Sequence, residues 1–217
     1  MTLCLDSIII KPEDNQEIKN AIILLHGYGG DGRDISMIAM NWKRHLPNTV
    51  FICPNGHESC SINPTGYQWF DLTKDDNDYI LKQSMKAEKK LNEFVNEIKN
   101  HFNLEKNKIC LSGFSQGCMM SINLGLISDE KFNCIVGFSG KIIDQNDLKL
   151  RKKVSTSVLL IHGDSDQVVS PNFLLEAKDF LIRNHVDIET HLIKNCDHFI
   201  PNEALSIALN YILKKFK

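Results

Sequence analysis

The sequence predicts an α/β domain in which a mostly parallel central sheet carries helices on both faces. Three observations support this. Short, wholly apolar runs recur along the chain, amphipathic stripes lie between them, and polar, chemistry-bearing residues follow the runs directly. A strand buried on both faces shows no polar alternation, and strands alternating with helices form a parallel sheet. The 217 residues fit one domain spanning 1–217.

In chain order, residues 7–10 are mixed in character and suit a sheet edge. Residues 22–25 and 50–53 read as buried strands. Leu91, Phe94, Val95, Ile98 and Phe102 then form an i, i+3, i+4, i+7, i+11 stripe among lysines and glutamates, the pattern of an amphipathic helix. Residues 109–111, 134–138 and 158–161 are three further buried runs. Ser170-Pro171 reads as an N-cap followed by proline in the first helical position, opening a helix to about Ile182. Residues 188–193 are again mixed and edge-like. Leu205, Ala208, Leu209, Ile212 and Phe216 give the last helical stripe.

Composition narrows the function. Apolar residues make up 42%, charged residues 24%, and the formal charge is -2, so nothing electrostatic favours nucleic acid or an anionic membrane. Cys4, Cys53, Cys60, Cys110, Cys118, Cys134 and Cys196 form no C-x-x-C pair and lie mostly in apolar runs. Reduced, buried thiols are expected, with neither a disulfide framework nor a zinc site. MTLCLDSIII lacks a basic n-region, no apolar run approaches the ~20 residues of a membrane span, and no prenylation box is visible. A soluble, cytoplasmic protein is the expectation.

In open α/β sheets, ligands bind at the carboxyl ends of the strands. There the sequence sets HGYGGDG after 22–25, GFSQG after 109–111, HGDSD after 158–161 and NCDH after 188–193. Ser115 sits between a buried strand and a helix, where G-x-S-x-G holds a nucleophile on a crowded turn. A serine, a carboxylate and a histidine thus meet one sheet edge in the order expected of an α/β-hydrolase. His198 follows the last strand and is the favoured base. His26 and His162 begin His-Gly pairs and read as loop braces. Asp164 and Asp166 compete for the acid, and spacing alone does not choose. HGYGGDG has neither a dinucleotide nor a P-loop spacing. Its better use is to present a backbone N–H, that of Tyr28, which pairs with Gln116 N–H to hold an oxyanion.

These motifs together resemble the phospholipase/carboxylesterase family, which includes the acyl-protein thioesterases. The likeness runs through LLHGYGGDGRD, PTGYQWFDL, GFSQG, IHGDSDQVV and DHFIP, nearly the whole chain. It implies Ser115 as nucleophile, His198 as base, Asp166 rather than Asp164 as acid, and Tyr28 and Gln116 as oxyanion donors. It implies a serine carboxylesterase acting on small or monoacyl esters, lysophospholipids or S-acylated proteins, with no cofactor. The resemblance suggests a homodimer, although no exposed stripe in the sequence marks one. Three positions depart from the family pattern: Cys118 for a second glycine, Gln167 for a common proline, and Asp197 for the glycine before the histidine.

The stretch 139–157 is too short for a cap domain, so the site should be open. Its expected cover is the segment 54–73, with Ile62, Tyr67, Trp69 and Phe70; of these Ile62, Trp69 and Phe70 are candidate substrate contacts that could equally pack onto the sheet. An acyl-protein thioesterase is the alternative enzyme, and a hydrolase scaffold used only for binding is the alternative of another class.

Overall fold

The computed structural model describes residues 3–13 and 16–217; Met1 and Thr2, at the head of MTLCLDSIII, lie outside them, as do Asp14 and Asn15. Among the described residues, seven strands form one sheet: β1 (Ser7–Ile10), β2 (Asn20–Leu25), β3 (Thr49–Pro54), β6 (Ile109–Phe114), β7 (Cys134–Phe138), β8 (Val158–Gly163) and β9 (Ile188–Ile193). Their spatial order is β1-β3-β2-β6-β7-β8-β9. β1 alone runs antiparallel, and the two mixed runs, β1 and β9, take the edges. An edge strand keeps one side near water, which is why polar residues are tolerated there.

Period-2 geometry sorts the core. Ile22 and Leu24 face one layer, and Ile23 and Leu25 the other. The first layer comprises α1 (Gly32–Trp42) and α6 (Asn202–Lys215), through Ile35, Ile38, Trp42, Ala208 and Ile212. The opposite face is covered by α2 (Asn77–Phe102), α3 (Gln116–Ile127), α4 (Gln145–Arg151) and α5 (Asn172–Arg183). Each fully buried Leu, Ile or Phe contributes roughly 1.5–3 kcal/mol. Trp42 also donates its indole N–H to Leu205 O at 3.2 Å, tying α1 to α6.

One helix runs beyond its stripe, and another begins one residue later than expected. α2 starts at Asn77, well before the Leu91 stripe, because Asp76 accepts the Tyr79 N–H at 3.0 Å and caps it there. Pro171 is the N-cap of α5, not its first helical residue, and Ser170 contributes its carbonyl to Phe173 N–H. Within 54–73, β4 (Glu58–Ser59) and β5 (Tyr67–Gln68) pair as a small antiparallel ladder.

The sheet register positions the site. Leu25 pairs with Gly113, Phe114 with Phe138, and Gly163 with Ile193, so the loops after β2, β6, β8 and β9 open on one edge. Only α4 lies between β7 and β8, leaving that edge without an inserted cap.

Candidate active site

The turn from β6 into α3 holds Ser115 at φ 52, ψ −115, a left-handed conformation rarely adopted by a residue with a side chain. Close packing enforces it. A Cβ at Gly113 would collide with the Gly117 carbonyl, and one at Gly117 with the Leu25 carbonyl. Strand, turn and helix can therefore approach only with glycine at both places. Ser115 occupies the N-cap position of α3, yet its hydroxyl caps no backbone group. Cys118 fits behind this turn because Gly137 and Gly140 leave room for its sulfur. Burial pushes that thiol up to about 12, so it stays protonated.

Gln116 is wholly buried, and its side chain is a clamp. Oε1 accepts the Trp69 N–H at 2.9 Å, and Nε2 donates to Phe70 O at 2.7 Å. Trp69 in turn donates its indole N–H to His26 O at 3.0 Å. His26 Nε2 accepts the Gly56 N–H at 2.8 Å, which leaves its proton on Nδ1, facing Gly27 O at 2.7 Å. Burial holds this imidazole below its ordinary range, against smaller opposing effects from Gly27 O and nearby carboxylates. His26 is a neutral brace. The backbone N–H groups of Tyr28 and Gln116 make no hydrogen bonds among the described residues.

On the far side, Asp166 is buried and heavily bonded. Oδ1 accepts Val168 N–H at 2.9 Å and Val169 N–H at 2.8 Å, and Oδ2 faces His198 Nδ1 at 2.7 Å. Burial pushes this carboxyl up, but the bonds from His198, Val169 and Val168 outweigh it and hold it below the usual range. Asp164 turns elsewhere, accepting the Ser165 hydroxyl at 2.8 Å. His162 donates from Nε2 to Val169 O at 2.8 Å and lies 3.2 Å from Asp166 Oδ2. It is kept neutral chiefly by burial.

The His198 ring stacks at a tilt on Phe114, centroids 4.8 Å apart, which puts it beside the residue preceding Ser115. With Nδ1 committed to Asp166, its Nε2 is free to accept a proton. Among the described residues no Ser115–His198 hydrogen bond is formed; catalytic hydrogen bonds of this kind often tighten only with substrate bound. His198 also lines a cavity of about 490 Å³, together with Tyr28, Phe114, Met37, Phe199 and Leu205. The volume is ordinary for a small-molecule site.

The expected substrate contacts require correction. Trp69 and Phe70 are each 1% exposed and belong to the core beneath the segment, fixed by Gln116 and His26. Ile62 is 72% exposed and does not line the cavity. The apolar wall comes instead from α1 and from residues 199–205, which sequence reading missed. The α1 residues lie just beyond HGYGGDG, where the apolar Ile35, Ile38 and Ala39 are their sequence signal.

The phospholipase/carboxylesterase family model matches residues 6–216. Acyl-protein thioesterase 1 of Yarrowia lipolytica is 24% identical over 90% of this chain and 92% of its own length. Esterase YpfH of Escherichia coli is 25% identical over 95% of this chain and 87% of its own. The crystal structure of esterase PE8 superposes with a TM-score of 0.92 at 32% identity, covering 97% of this chain and 98% of that one. Zea mays acyl-protein thioesterase 2 shares the fold at a TM-score of 0.74, with 20% identity and 98% and 99% coverage. With this match along nearly its whole length, the chain belongs to the phospholipase/carboxylesterase family, hydrolases that act on ester bonds.

Proposed function

We propose that the protein hydrolyses carboxylic esters of small or monoacyl substrates through a Ser115–His198–Asp166 triad and an acyl-enzyme. The observation that carries this reading is the 2.7 Å bond from His198 Nδ1 to Asp166 Oδ2, in a ring seated beside the strained Ser115 turn.

In the first step, His198 Nε2 takes the proton as Ser115 Oγ bonds to the carbonyl carbon. The carbonyl oxygen becomes an oxyanion held by Tyr28 N–H and Gln116 N–H, the latter at the positive end of α3. Asp166 keeps the imidazole tautomer and stabilises its cation. The proton passes to the departing alkoxide as the ester bond breaks. Water then loses a proton to His198, attacks the acyl carbon and releases the acid, restoring Ser115.

The apolar cavity beside His198 supports a substrate with an uncharged hydrocarbon part. A second reading, thioester hydrolysis on S-acylated proteins, is supported by the Yarrowia lipolytica relative. The two differ in leaving group alone. Matched oxygen esters and thioesters of rising chain length separate them: an ester preference of kcat/KM supports the first reading, a thioester preference the second. Failure to hydrolyse either series would contradict both, leaving the scaffold to binding.

A further inference from the structure

Asp166 and His198 stand on different loops, one after β8 and one after β9, and their meeting depends on how those loops are joined. Near the strands the joints are backbone: Asp164 N–H donates to Ile193 O at 2.9 Å, and Ser165 N–H to Cys196 O at 3.0 Å. Further out the joint changes character. Gln167 N–H donates to Asp197 Oδ1 at 3.3 Å, and the same oxygen accepts the N–H of His198 at 2.8 Å. The residue after the acid and the residue before the base are thus linked by one carboxylate oxygen.

We infer that Asp197 is a positioning residue, whose Oδ1 bridges the two loops and fixes the approach of Asp166 to His198. This rests on the triad reading above. The carboxylate has no other hydrogen-bond partner among the described residues. Asp197 is exposed and forms no ion pair among the described residues, so it neither fills the core nor balances a nearby cation. Asp164, Asp166 and Glu203 lie around the same Cys196 thiol, so its charge is added to others of like sign. What remains is its acceptor oxygen, engaged with one N–H from each loop. The bridge also requires a hydrogen on residue 167, which proline would lack, and a side chain at 197, which glycine would lack. The two departures noted in the sequence are therefore two halves of one contact. Because Asp197 also accepts its neighbour's N–H, it constrains the His198 backbone as well as the distance between loops. Angstrom-scale misplacement of a reacting pair costs up to about 100-fold in rate.

The test uses purified full chain with p-nitrophenyl butyrate and the variants Asp197→Ala, Asp197→Asn, Gln167→Pro, the double Asp197→Ala/Gln167→Pro, and Ser115→Ala. Asp197→Ala and Gln167→Pro should each lower kcat about 3- to 30-fold with KM within about twofold. The double variant should be no slower than the worse single, since the bond lost in Gln167→Pro is already lost in Asp197→Ala. Asp197→Asn keeps an acceptor oxygen and should recover most of the rate. Wild-type kcat in Asp197→Ala, a loss confined to KM, multiplying losses in the double, or an Asn variant as slow as Ala would each overturn the inference. An active Ser115→Ala would overturn the triad reading instead. Should Asp197→Ala fail to fold, Gln167→Pro and Asp197→Asn decide by the same criteria.

Discussion

His198 Nδ1 faces Asp166 Oδ2 at 2.7 Å, and the other oxygen of that carboxylate is fixed by two backbone N–H groups. The acid is thereby held in one orientation and ionised. Replacing Asp166 with Asn should lower kcat by about 10³-fold or more while KM stays within a few-fold, because ground-state binding is untouched. Steady-state ester hydrolysis measures both. A kcat within tenfold of wild type would contradict the proposed role.

Gln116 combines a backbone N–H, the proposed oxyanion donor, with a side chain that clamps Trp69 and Phe70. Gln116→Ala keeps the first and loses the second. It should destabilise the fold by about 2–4 kcal/mol, since a buried N–H and a buried carbonyl are orphaned. Urea denaturation of wild type and variant measures the difference.

Burial separates the residues of segment 54–73. Trp69→Ala should cost about 3–5 kcal/mol of stability, as a buried aromatic does, whereas exposed Ile62→Ala should change stability by less than about 0.5 kcal/mol. Neither should alter selectivity among acyl chains through direct contact. Leu205→Trp, which fills the cavity beside His198, should lower kcat/KM for bulky esters about tenfold relative to acetate. A chain-length panel reports the shift.

Two buried histidines set the acid side of the stability curve. Burial lowers the folded values of His26 and His162, while the unfolded chain titrates them near 6.5. Below that pH the unfolded state binds protons the folded state refuses, so stability falls as pH falls from 7 toward 5. Each histidine contributes up to about 1.4 kcal/mol per pH unit until its folded value is reached. Asp166, whose folded value is lowered, loses its stabilising contribution only under far more acidic conditions. Denaturation midpoints at pH 7, 6 and 5 should decline in order. A midpoint independent of pH would contradict neutral, braced imidazoles.

Much of this architecture was legible because local pattern and global position agree. The edge strands β1 and β9 were visible in their mixed character, and the central strands in their lack of alternation. α3 carries no stripe to read, since residues Gln116 to Leu126 are all buried, so its existence was legible only from the turn before it. The placement of Trp69 was not legible. It depends on bonds to Gln116 and His26, partners far away in sequence that no local period encodes. The bridge through Asp197 was hidden likewise: spacing shows a carboxylate beside a histidine, but not which N–H groups it accepts.

A fluorophosphonate probe tests the central claim most directly, since it phosphonylates only an activated serine. Wild-type protein should be labelled stoichiometrically at Ser115, and Ser115→Ala should remain unlabelled while retaining the wild-type circular dichroism spectrum. Absence of labelling in the folded wild type, or equal labelling of the alanine variant, would contradict the assignment of Ser115 as nucleophile.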